Sequence, residues 1–384
     1  MKLLTAYNYD PSNMRAGGGI TYVHNLLTHM LDEGIEITLM GVKLSEEQSF
    51  EHENFEFIPV QEGTDKFWKF LLNLRKTVIN LDRSDFDLVH THNPLAMHPF
   101  IKKYPNTPKV VTLHGMPLDW VKVNYKSAYS PVSLVYKKIE KNIIENVDKI
   151  TTAGPYTRMR LTKRYPELNL NDKIVSIPSG VDLNKFKPLN KEKLKKELNL
   201  DKYGEIIIFV GRLAEIKNLN LLIKSYLLFK NKFKNSTLII VGRGEKVDEI
   251  KKFTKKLGLD SVVFTGSLES DMVVKYMNCA DLLALTSIFE ASPTVVKEAL
   301  SCGVPIVSTN VGDVKHIITD PYLGEVVNSH NEKDFSDALI KMENLVKESP
   351  DEVRATCRKV ACEKFSFENI ASEFISLYKD LCTK

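Results

Sequence analysis

Two glutamates eight residues apart, Glu290 and Glu298, stand in the stretch Phe289-Glu290-Ala291-Ser292-Pro293-Thr294-Val295-Val296-Lys297-Glu298-Ala299-Leu300-Ser301-Cys302-Gly303-Val304-Pro305. Proline favours a helix start, so a helix opening near Pro293 places Glu298 within it and Glu290 in the loop before it. A carboxylate accepts two hydroxyl hydrogen bonds at once. The pair could therefore hold two ends of one ligand, Glu298 a ribose diol and Glu290 the hydroxyls of a sugar. As bare spacing, two glutamates eight apart also arise by chance.

Gly211-Arg212-Leu213 follows an apolar run that reads as a strand, and Lys217 comes five residues after Arg212, at the opening of a helical pattern. Two cations beside a helix N-terminus make a receptor for a diphosphate. They would stabilise charge as it develops on a nucleoside-diphosphate leaving group. The competing reading is an ordinary basic helix start, which the helix dipole disfavours. Val241-Gly242-Arg243-Gly244 is a further strand-end turn and weak by itself. No G-x-x-x-x-G-K-[ST] loop occurs, so that route to ATP or GTP hydrolysis is unsupported.

In the first half, Gly17-Gly18-Gly19 runs straight into the helical pattern from Ile20. Such glycines let the backbone approach a ligand or simply form a loose surface loop. They do not form the dinucleotide fingerprint, which follows its strand directly. His90, His92 and His114 fall at the ends of two predicted strands, where open α/β sheets bind ligands. A metal site lacks a carboxylate or cysteine at ligand spacing. His90 reads equally well as a packing residue, and His114, followed by Gly115, is the better candidate to face a substrate.

The elements that must position these residues alternate short apolar runs with longer amphipathic stretches, the pattern of β-α-β units around parallel sheets. Strands are predicted at Leu3–Ala6, Ile37–Val42, Phe55–Val60, Leu88–His92, Val110–Leu113 and Lys149–Thr152, and again at Glu205–Val210, Thr237–Val241, Val262–Thr265, Leu282–Leu285 and Pro305–Ser308. Between the two series, Pro178-Ser179-Gly180 and a charged run to about Tyr203 have the composition of a hinge and linker. The expected domains are 1–178 and 179–366, with an amphipathic segment, 367–384, packing back on the first.

At 384 residues the chain has material for two cores, and 43% hydrophobic with 27% charged residues argues against disorder. Net charge is +4, with 22 Lys/Arg against 20 Asp/Glu in 1–178 and 31 against 29 in 179–384. An even surplus that small argues against a nucleic-acid partner. The five cysteines show no C-x-x-C spacing and read as reduced thiols. With neither a signal-peptide run nor a membrane-length apolar stretch, the expected location is cytoplasmic.

Together these residues resemble glycosyltransferase family 4, retaining enzymes of the GT-B fold. The matching pieces are Gly17-Gly18-Gly19, His114-Gly115, Ser179-Gly180-Val181-Asp182, Gly211-Arg212-Leu213 with Lys217, Val241-Gly242-Arg243-Gly244, and above all the Glu-x7-Glu stretch ending in Cys-Gly-Val-Pro. They span nearly the whole chain. The resemblance implies two Rossmann-like, doubly wound parallel-sheet domains facing a cleft, and transfer of a sugar from a UDP- or GDP-sugar. It assigns Arg212 and Lys217 to the donor diphosphate, Glu298 to the ribose, and Glu290 to the transferred sugar, with Ser292, Pro293 and Thr294 nearby. Gly18 and Gly19 would approach phosphate or sugar, His114 the sugar hydroxyls, and the turn at Gly266-Ser267 the base. The catalytic set it implies is Arg212, Lys217, Glu290 and His114. No metal cofactor is implied, since the cations take its place and the leaving phosphate helps deprotonate the acceptor.

Where the family commonly has Glu-Gly-Phe/Tyr-Gly, this chain has Glu290-Ala291-Ser292-Pro293, which alters the donor-sugar loop and leaves the sugar unnamed. Ser179 replaces a common Asn, and Asn218 a common Gly. The acceptor is a glycan, a lipid-linked sugar or a small molecule. Lys66–Arg83 and Trp120–Tyr136 mix aromatics with lysines, which fits either core-facing helices with snorkelling lysines or a face lying peripherally on the inner membrane surface. The alternatives are a GT-B nucleotide-sugar epimerase and a non-catalytic nucleotide-sugar-binding regulator. Retention of Arg212, Lys217, Glu290 and Glu298 together argues against the latter.

Overall fold

The computed structural model describes residues 1–12, 18–44, 50–115 and 131–383. Gly17 and the part of the Trp120–Tyr136 segment before Pro131 lie outside them. The chain forms two compact units, Met1–Gly180 with Phe367–Lys384, and Val181–Ser366.

The first unit is built on seven parallel strands, β1 (Lys2–Ala6), β2 (Glu36–Lys43), β3 (Phe55–Glu62), β4 (Leu88–Thr91), β5 (Lys109–Leu113), β6 (Lys149–Thr152) and β7 (Ile174–Ser176), in the order β3-β2-β1-β4-β5-β6-β7. Strands β1, β4 and β5 are buried almost throughout, as parallel strands covered on both faces must be. Helices Gly18–Asp32 and Phe367–Cys382 pack together over one face, burying Leu26, Met30, Phe374 and Tyr378. The other face is covered by four helices, Phe67–Asn80, Pro94–Lys103, Pro131–Asn146 and Pro155–Arg164. Phe70, Phe100, Ile143 and Tyr165 anchor that layer.

The second unit repeats the plan with six parallel strands, β8 (Ile206–Val210), β9 (Thr237–Val241), β10 (Val262–Gly266), β11 (Leu282–Leu285), β12 (Ile306–Thr309) and β13 (Gly324–Val327), ordered β10-β9-β8-β11-β12-β13. In each sheet the order reverses beside the first strand, between β1 and β4 and between β8 and β11. Such switch points open a crevice at the carboxyl ends of the strands.

The polar run after Gly180 does not behave as a linker. Val181, Phe186, Leu194 and Leu200 enter the core of the second unit, and Lys191–Glu197 is a helix capped by Asn190. Lys195 is buried because its ammonium donates to the Tyr203 and Gly204 carbonyls. A few well-spaced apolar residues suffice here, and average composition hides them. Among the described residues no helix is long and apolar enough to cross a membrane, and all five cysteines are free thiols.

Candidate active site

The rim of the second sheet is assembled from glycine. Gly211, Gly242 and Gly266 follow or close β8, β9 and β10, with φ of +157°, +136° and +77°. The Gly211 N–H donates to the Val241 carbonyl at 3.0 Å, and the Gly242 N–H to the Gly266 carbonyl at 2.8 Å. A Cβ on Gly242 would stand 1.9 Å from the Gly211 oxygen. The turns nest only because they carry no side chains. Beside them Arg212 keeps its side chain 74% exposed, its Nε donating to Glu245 Oε2 at 3.1 Å.

Lys217 does not open the following helix, as its spacing suggests. It ends a short 3₁₀ turn, Glu215–Lys217, and Asn218 then takes a left-handed φ of +47° before the helix Leu219–Lys232 begins. That kink turns the lysine toward the loop after β11. Thr286 Oγ1 donates to the Lys217 carbonyl at 3.0 Å, and the Ile288 N–H to the Ile216 carbonyl at 2.8 Å. Lys217 Nζ donates to Glu290 Oε1, which also accepts from Ser287 Oγ at 2.8 Å. Two loops that leave the switch-point strands β8 and β11 are thus tied together by a cation and a carboxylate.

The helix predicted from Pro293 is present as Thr294–Ser301, with Pro293 as its N-cap and Glu290 in the loop before it. Pro293 is buried, and Ser292, Thr294 and Glu298 are half-buried. Burial raises the Glu298 carboxyl to about 7, and the Lys297 ammonium beside it pulls the other way. A carboxyl so poised can donate or accept toward a diol, depending on pH.

In the first unit, Gly18 is the first residue of its helix, and a Cβ on Gly19 would meet Tyr7 Oη at 2.8 Å. His90 is a packing residue. Its Nδ1 lies 2.6 Å from Tyr378 Oη and its Nε2 2.7 Å from Thr112 Oγ1, and burial holds its pKa down to about 3. His114 differs. Its ring lies 5.0 Å from Tyr22 and stacks on His92 at 5.4 Å between centroids. Its Nε2 is buried without a hydrogen bond. Burial lowers its pKa to about 4, so it is a neutral imidazole near pH 7. Both ring nitrogens of His92 are likewise buried and unbonded, a feature that the strand-end position hinted at and only the geometry makes plain. Among the described residues no His, Cys, Asp and Glu group could hold a metal ion.

Two family models match successive parts of the chain. Residues 16–185 match the family model described as Glycosyltransferase Family 4, and residues 190–360 match Glycosyl transferases group 1. The chain belongs to glycosyltransferase family 4.

Among relatives of this family 4 glycosyltransferase, the Escherichia coli UDP-Gal:alpha-D-GlcNAc-diphosphoundecaprenol alpha-1,3-galactosyltransferase is 27% identical over 292 residues, 72% of this chain and 70% of that protein. Sucrose-phosphate synthase from Thermosynechococcus elongatus superposes with a TM-score of 0.78 at 21% identity, covering 99% of this chain and 98% of that one. HepE from Anabaena, solved in complex with UDP-glucose, gives 0.71 at 17% identity over 99% and 100% of the two chains. The fold is therefore GT-B, and the protein is an enzyme that transfers sugars. Neither the epimerase nor the regulator reading is favoured by these relatives.

Proposed function

We propose that the enzyme is a retaining transferase using a nucleoside-diphosphate sugar, a UDP- or GDP-sugar, as donor. The observation that carries this reading is the Lys217–Glu290 pair at the β8/β11 switch point, with the exposed guanidinium of Arg212 in the same loop after β8. Arg212 and Lys217 bind the diphosphate and take up charge as the bond from the anomeric carbon to the phosphate oxygen breaks. Glu298 holds the ribose, and Glu290 with Ser292, Pro293 and Thr294 the sugar. Gly266 borders the base. On the same reading His114, Gly18 and Gly19 of the first unit serve the transferred sugar. The acceptor oxygen attacks the face the phosphate leaves, and its proton goes to that phosphate, so the configuration is retained with no protein base and no bound metal. The named donor of the E. coli relative and the ligand in HepE support a uridine nucleotide first. The test is incubation with UDP- and GDP-sugars, measuring released nucleoside diphosphate and the anomeric configuration of the product by NMR. An inverted product, or an altered sugar nucleotide without transfer, would overturn it.

One surface favours a lipid-linked acceptor. The four helices over one face of the first sheet carry twelve Lys and Arg against two Glu. Trp68 and Leu72 are each 66% exposed, and Ile79, Leu134, Val135 and Met159 are also exposed. The near-neutral balance of each half conceals a basic, apolar face suited to an anionic bilayer.

A further inference from the structure

Lys297 is 1% exposed, one residue before Glu298 in the helix Thr294–Ser301. A lysine that deep is costly unless its ammonium is bonded and faces opposite charge. Its Nζ donates to Ser292 Oγ at 3.0 Å and lies 5.4 Å from the centre of the Phe365 ring. Asp313 and Glu298 supply the negative charge. Asp313 is itself buried, in the turn after β12. That turn presses on the donor-sugar loop so closely that a Cβ on Gly312 would stand 2.3 Å from the Ala291 oxygen. The ammonium therefore sits where the Glu290–Pro293 loop, the helix and the Gly312–Asp313 turn meet. Ser292 stands in the loop just before that helix, and its hydroxyl is the group that Lys297 holds.

We infer that Lys297 is a positioning residue for the transferred sugar, its buried ammonium fixing the Glu290–Thr294 loop through Ser292 against the Asp313 turn. The inference rests on the donor site proposed above.

Burial lowers the Lys297 ammonium to about 8, against the pull of Asp313 and Glu298. Of the other charged groups on the packed elements, Glu290 is paired with Lys217, and Arg354 and Arg358 donate to the carbonyls of Leu189, Phe186 and Ser301. As pH rises through 8 the ammonium is lost and the loop loosens. Stability does not fall through this group, because a lysine with a lowered pKa is held charged at a cost that deprotonation relieves.

The experiment compares Lys297→Met and Ser292→Ala with wild type, using UDP-glucose and GDP-mannose as sugar nucleotides and UDP and GDP as free diphosphates. Lys297→Met should lower kcat/KM for the sugar nucleotide about tenfold, with diphosphate affinity changed less than about threefold. It should also remove an alkaline limb near pH 8 that wild type shows. Ser292→Ala, a half-buried change that spares the core, should reproduce the selective loss and add little to Lys297→Met. Variants within about twofold of wild type, equal losses for diphosphate and sugar nucleotide, or a wild-type profile flat through pH 8 would overturn the role of Lys297. If Lys297→Met fails to fold, Ser292→Ala alone decides. A wild-type chain inert toward all sugar nucleotides yet binding neither UDP nor GDP sinks the donor reading itself.

Discussion

Lys217 Nζ donates to Glu290 Oε1 across the order reversal of the second sheet, joining the loops that leave β8 and β11. The pair is largely shielded, with side-chain exposures of 20% and 16%. The carboxylate holds the lysine in place, and in the proposed function a donor diphosphate competes for it. Lys217→Ala should lower kcat/KM by about 10²–10³-fold, the usual loss of one preorganised stabilising group, while the unfolding midpoint moves by no more than roughly 5 °C. Glu290→Ala should cost turnover with less effect on UDP affinity. Steady-state kinetics beside thermal unfolding separates the two, and near-wild-type turnover in either variant defeats its assignment.

Burial moves the Glu298 carboxyl toward neutral pH. It is raised to about 7, so the carboxylate forms as pH climbs through that value. Donor affinity should strengthen from pH 6 to 8 and lose this dependence in Glu298→Gln. Stability runs the other way. A carboxyl whose folded pKa exceeds its unfolded one contributes stability below the unfolded pKa, near 4.5, and loses it as pH rises to about 7. Glu298→Gln should therefore be at least as stable as wild type at pH 8 while binding donor more weakly. Calorimetric titration and unfolding across that range check both signs.

Of the strand-end histidines, His90 is held by packing and hydrogen bonds, and His114 is the one that the proposed function assigns to the sugar. Tyr378→Phe removes the hydroxyl beside His90 Nδ1 and strands a buried nitrogen, so it should cost roughly 1–3 kcal/mol of stability. Activity per folded molecule should hold. His114→Ala should do the opposite, lowering turnover with little change in denaturation midpoint. Denaturant melts paired with specific activity give the answer, and a stable, fully active His114→Ala would remove that residue from the site.

The basic face of the first unit makes a separate prediction. Flotation with anionic vesicles should carry the protein upward, and neutral vesicles should not. Trp68→Ser with Leu72→Ser should weaken vesicle affinity by about tenfold or more, since each exposed side chain would lose about 1–3 kcal/mol of apolar contact with the bilayer. Protein that stays in solution with anionic lipid present contradicts the bilayer reading.

Central strands such as Ile206–Val210 were legible as unbroken apolar runs, and the helix after Pro293 followed from its proline and spacing. Short edge strands were not. Ile174–Ser176 offers three residues and Gly324–Val327 two buried ones, too little for any periodic signal. The glycines at 211 and 242 could be read as strand-end turns, but their nesting on each other is a property of sheet order. Lys217 and Glu290 are 73 residues apart, and only the β8/β11 neighbourhood brings them together. Nothing local in the sequence records the Asp313 turn beside which Lys297 is buried. Charge, likewise, is segregated by face and not by half, so counting along the chain missed it.

The most direct measurement is a thermal-shift panel of wild type and an Arg212→Ala/Lys217→Ala double variant with UDP, GDP, ADP, CMP and NAD. A nucleotide at about 100 times its dissociation constant stabilises by about 2.7 kcal/mol, a shift of several degrees. One nucleoside diphosphate, UDP or GDP, should raise the midpoint of wild type and leave the variant unmoved. A shift with NAD alone, or an equal diphosphate shift in both proteins, would contradict a donor site built on Arg212 and Lys217.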